Sequence, residues 1–155
     1  MTLFHNNVHK PWRPEERTVL ELTEAARSTA GIVLLTVVAV ESGGVFMLRV
    51  NAGAVATTEF QHRFYRAGHA HAGVLVTLGL VCLLLAEATA LGGAVRWLAQ
   101  TGVLVAAILM PAGFFLSAMG RGRTRPSQWV GLLVVGAVVL AVAVVTLGIG
   151  LLTAT

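Results

Sequence analysis

Residues 67–91 read AGHAHAGVLVTLGLVCLLLAEATAL. His69 and His71 stand near one end and Glu87 near the other, and everything between is apolar or small. A bilayer core is about 30 Å thick and a helix rises 1.5 Å per residue, so roughly 20 such residues cross it. The stretch predicts a transmembrane helix and so decides the class of fold. Three more runs meet the same length requirement: about Ala25–Leu48, Ala94–Met119 and Gln128–Leu152.

Composition agrees. Of 155 residues, 56% are hydrophobic and 12% charged, with a mean hydropathy of +0.81. A soluble domain carries about 25% charged residues, so an ordinary soluble enzyme is excluded. Aromatic residues make up 6% and the runs do not alternate, which excludes a transmembrane barrel. The net charge of +4 does not point to nucleic acid, because the bases sit at the ends of apolar runs, where membrane helices place them. The single cysteine, Cys82, has no intrachain partner. No h-region of a cleavable leader is visible at Met1–Lys10, so the first run is expected to be a retained anchor.

The connections set the topology. Residues 1–24 form a polar tail in which Pro14-Glu15-Glu16 suits a helix start, predicting a helix that continues into the first span. Gly92-Gly93 marks a tight turn, and Gly120–Ser127 is a short basic loop with Arg121, Arg123 and Arg125. In the longer connection, Thr58-Glu59-Phe60-Gln61 spells a capping box, which starts the second helix near Thr58 and extends it to Leu91. Short loops make sequential helices antiparallel. The expected fold is all-α: an integral membrane four-helix up-down bundle over residues 25–155, with both ends of the bundle on one side. The expected location is the cell membrane. The distribution of bases tilts slightly towards the two basic loops facing the cytoplasm.

Ionisable residues within spans are costly, so each is a functional candidate. At 100° per residue, Glu59, His62, Arg66, His69, Gly73, Leu80 and Glu87 share a stripe expected to face the bundle. Phe64, Ala67, His71, Leu75, Leu78, Cys82 and Leu85 form a nearly opposite stripe expected to face lipid or another protein. His69 and His71, two residues apart, point about 200° apart and cannot grip one ion together. His62 and His69 share a face but lie roughly 10 Å apart along the axis. A metal site therefore needs other helices, and the candidate ligand set is His69, His71, His62, Glu41 and Met110. Glu41 lies at the depth of His69 in an antiparallel pair and is its expected partner. Met110-Pro111 brings a soft sulfur and a kink to the same half. Glu87 is expected to reach the interface or pair with Arg96. His71, on an otherwise apolar stripe, is expected to act between the subunits of a homodimer.

The His69-Ala70-His71 pattern with Gly73, at the head of a membrane helix, resembles the ligand-bearing helices of haem–copper-oxidase-like membrane proteins. The resemblance covers one helix in four and implies histidine ligation of haem b or copper. The third and fourth spans hold no histidine, so a second axial histidine would have to come from a partner subunit. The function expected is that of a small membrane protein binding haem or a transition metal near one membrane surface, in a redox or cofactor-handling role. Two alternatives stand beside it: an accessory subunit of a larger membrane complex, and a small proton-coupled transporter.

Overall fold

The computed structural model describes residues 21–154 and contains four long helices. They are α1 (Glu24–Asn51), α2 (Glu59–Ala86), α3 (Gly93–Ala118) and α4 (Gly131–Leu152), the last preceded by a 3-10 turn at Gln128–Val130. All four are long and apolar enough to cross a bilayer. The tail residues singled out above, from His5 to Glu16, lie outside the described residues.

Local chemistry sets the ends. Thr23 caps α1, its Oγ1 accepting from Ala26 N–H, so α1 has its own start at Glu24 and the expected run-through from the tail is broken there. The capping box of α2 forms as read: Thr58 Oγ1 accepts from Gln61 N–H, and Gln61 Oε1 accepts from Thr58 N–H. α2 stops at Ala86, five residues short of the expected Leu91. Its 28 residues span about 42 Å. The early stop is made by Thr89 Oγ1, which takes the Ala86 carbonyl, and by Glu87, whose side chain is drawn into contacts beyond the helix. Gly93, at φ 58°, turns the chain into α3.

The helices run up and down. Thr23, at the start of α1, bonds Glu87 at the end of α2, and Gln61, at the start of α2, bonds Ala118 at the end of α3. Leu91 packs against Gly150 near the end of α4, so the start of α1 and the end of α4 share a side. The core lies among α2, α3 and α4, where Cys82, Ala86, Ala99, Val103, Ala143 and Leu147 cluster. α1 rests against α2, and its buried residues, Ala26, Met47 and Val50, lie only near its two ends.

The face that α2 buries is Gln61, Gly68, Leu75, Gly79, Cys82, Leu83 and Ala86. It falls between the two expected stripes, and this corrects their assignment: Leu75 and Cys82, expected to face lipid or another protein, are core. The reason is steric. Gly68 and Gly79 let α3 approach α2 most closely, and a Cβ at Gly68 would lie 2.9 Å from the Phe115 ring. Close contact follows the small residues rather than the polar ones.

Candidate functional site

α1 touches α2 near both ends and stands apart between them. The result is a cleft of about 430 Å³ bounded by α1, α2 and α3. Its walls are apolar, from Ile32, Val40, Val76, Leu104 and Phe115 among others, with Thr36 and His69 the polar exceptions. His69 is the one titratable side chain on this wall. Its ring lies on the Gly43-Gly44 step of α1: a Cβ at Gly43 would sit 3.3 Å from Nδ1, and one at Gly44 would sit 3.5 Å from Nε2. The two glycines thus form the seat of the imidazole. Among the described residues neither ring nitrogen of His69 has a hydrogen-bond partner.

Glu41 is at the expected depth, within a turn of Gly43 and Gly44. It does not pair with His69. It is exposed, because one helical step of about 100° carries it from the α2-facing position of Val40 to the flank of α1. His71 stands on the other flank of α2. Its Nδ1 lies 2.8 Å from the Ala67 carbonyl and its ring packs on Phe114 of α3, centroids 4.9 Å apart. The carbonyl can only accept, so Nδ1 donates in this contact and Nε2 is the nitrogen not engaged by it. His62 is taken by Asn51, Nε2 to Oδ1 at 2.7 Å, which ties the start of α2 to the end of α1. Met110 packs against Gly136 of α4, and α3 continues through the buried Pro111 to Ala118. The five candidates therefore do not meet. Among the described residues no three His, Cys, Asp or Glu side chains gather as a metal group.

Two polar clasps hold the cleft's frame. At one end Glu87, its side chain 4% exposed, accepts from Thr23 N–H and Oγ1, from Gln100 Nε2 at 2.6 Å and from Arg96 Nη2 at 2.9 Å. The pairing with Arg96 is one of the two outcomes expected from sequence. The Thr23 and Gln100 bonds were missed. Arg96 sits near the start of α3, where the helix dipole disfavours a cation unless a carboxylate answers it, and this signal bears on the Arg96 pair alone. At the other end Gln61, 3% exposed, donates from Nε2 to the carbonyls of Ala118 and Gly120. Tyr65 Oη also reaches Ala118 O, and Thr58 Oγ1 reaches Arg123 O. Sequence reading gave Gln61 only its capping role, although its amide had donors to spare.

Comparison with family models, with curated proteins and with solved structures found no match for this chain.

Proposed function

We propose that this multi-pass protein sits in the cell membrane and binds haem b through His69, in the cleft between α1 and the α2–α3 pair. The observation that carries the reading is a single imidazole, without a hydrogen-bond partner among the described residues, on the wall of a cleft that is apolar but for Thr36. Haem needs one or two axial nitrogens and apolar walls, and those are what this cleft offers. When bound, haem would supply one-electron chemistry within the membrane. The chain's own part is to hold the ring of His69 on Gly43 and Gly44 and to keep water from it with Val40, Leu104 and Phe115. Copper is less well supported, since it calls for several converging donors.

A second reading has support from His71. A backbone carbonyl on Nδ1 is the usual orienting contact of a ligand histidine. In that reading two copies of the chain share a cofactor through His71 at the α2–α3 flank. The absorption spectrum of protein purified in mild detergent, with and without added haem, tests both. Loss of the haem band in His69→Ala alone supports the cleft, and loss in His71→Ala alone supports the dimer. No band in the wild type, even after haem is added, removes both.

A further inference from the structure

Glu41 and His71 are used by neither the cleft nor the clasps, and both lie inside the bilayer. Arg27 and Arg49, exposed towards the two ends of α1, are about 33 Å apart along it, close to the roughly 30 Å of a hydrocarbon core. With these arginines at the two surfaces, Glu41 stands about 12 Å below the nearer one. A charged group at that depth is costly unless it is paired. Glu41 is exposed and has no ion pair among the described residues. His71 stands at the same depth. The ring of His69 on Gly43 and Gly44 sets the register of the two antiparallel helices. From that level, His71 on α2 and Glu41 on α1 are both about 3 Å further in.

The two groups flank one face. Ile32 and Ala39 of α1 line the cleft, as do Leu104 and Ile108 across it on α3. At 100° per residue Glu41 points about 160–180° from Ile32 and Ala39, and so away from α3. His71 points about 160° from His69, and so away from α1. Between them lies the outward face of α2, where Val74 is 67% exposed and Gly73, Val74, Thr77, Leu78 and Val81 line an open groove of about 410 Å³. One edge of this face carries an exposed carboxylate. The other carries an imidazole whose Nε2 has no hydrogen-bond partner among the described residues and is not buried.

We infer that this face is a dimer interface, in which two copies related by a twofold axis along the membrane normal pair each Glu41 with the partner's His71. Such an axis keeps every residue at its depth and exchanges the two edges, so carboxylate meets imidazole twice. A foreign helix would have to bring complements to both groups, at one depth and on opposite edges. A second copy already carries them. Nδ1 of His71 is committed to the Ala67 carbonyl, so Nε2 and the Glu41 carboxyl share one proton. Gly73 has nothing within 4 Å of its Cβ position, which leaves room for the partner's Val74. The interface uses neither His69 nor the cleft, so it does not rest on the haem reading, and it takes His71 away from a shared cofactor.

The test reconstitutes copies carrying donor or acceptor fluorescent proteins at the C-terminus in phosphatidylcholine vesicles and follows energy transfer as lipid is added. Wild type should associate. Val74→Cys should give a disulfide-linked dimer on mild oxidation, and Val145→Cys, exposed on α4, should not. Glu41→Gln and His71→Leu should each weaken association about fivefold, and the double variant should lose no more than either single, because both remove the same contact. Within one chain Glu41 has no ion pair to lose, so Glu41→Gln should fold as wild type and decides the matter if His71→Leu folds poorly. A wild type that stays monomeric overturns the proposal and leaves the face to a different protein. Additive losses in the double variant, or cross-linking at Val145→Cys as ready as at Val74→Cys, also overturn it. A loss in Arg66→Gln as large as that in His71→Leu overturns the pairing by giving Glu41 to Arg66.

Discussion

The seam between α3 and α4 and the seam between α1 and α2 both use glycine, to opposite ends. Across the first, Gly102 meets Ala143, Gly113 meets Leu133 and Gly136 meets Met110, and a Cβ at Gly113 would lie 2.8 Å from the Leu133 backbone nitrogen. Glycine there lets two backbones close together, and dispersion contacts run the length of the pair. Across the second seam, Gly43 and Gly44 admit a side chain, the imidazole of His69, instead of a backbone. α1 is held near its ends, by Ala26 and the Thr23–Glu87 bonds at one and by Met47, Val50 and the Asn51–His62 bond at the other. A helix docked at two points leaves a gap between them. The cleft is the consequence, and the molecule divides into a tight three-helix core and a fourth helix that frames a site.

The largest effect should come from removing a clasp. Glu87→Ala leaves Arg96 and Gln100 without their shared acceptor and should cost on the order of 3 kcal/mol in a detergent unfolding titration, with Glu87→Gln costing less. Gly113→Ala drives a methyl against backbone in the tight seam and should cost about 2 kcal/mol by the same measurement. Gly44→Ala, in the loose seam, would place its methyl at ordinary contact distance from the His69 ring, 3.5 Å from Nε2, and should cost no more than about 1 kcal/mol. If Gly113→Ala and Gly44→Ala destabilise equally, the division into tight and loose seams is wrong.

The smallest effects mark where nothing is packed. Gly31 has open space around its Cβ position, so Gly31→Ala should be neutral or stabilising by up to about 1 kcal/mol. Glu41→Ala should change stability by less than about 0.5 kcal/mol, because the exposed carboxylate has no ion-pair partner among the described residues to orphan. The sequence alone suggests the reverse ranking of Glu41 and Glu87. A stability loss in Glu41→Ala comparable to that of Glu87→Ala would restore it.

What was legible in the sequence follows from how far each signal reaches. The four spans were, because a run of apolar residues declares a membrane helix without help from its neighbours. So was the capping box at Thr58 and Gln61, which is local. The depth match between His69 and the Glu41 region also followed, since antiparallel helices with a short loop fix relative height. Azimuth did not. Polar stripes suggested which way α2 faces, but Gly68 and Gly79 set it by allowing Phe115 and Leu104 close, and this turned Leu75 and Cys82 inward. His69 and His71 lie on opposite flanks of α2, as their two-residue spacing requires, and Glu41 lies beside the interface because of its own position around α1. The partners of Glu87 and Gln61 lie on other helices, and a residue's spare hydrogen-bonding capacity tells that a partner exists without saying which.

The proposed haem site depends on His69, and one difference spectrum tests that dependence. Wild type, His69→Ala and His71→Ala are purified in the same mild detergent, supplied with one equivalent of haem b, and recorded oxidised and reduced. The prediction is an intense visible band that shifts on reduction in the wild type, persists in His71→Ala and is lost in His69→Ala. A band that survives in His69→Ala with folding intact, or a wild type that takes up no haem, would contradict it.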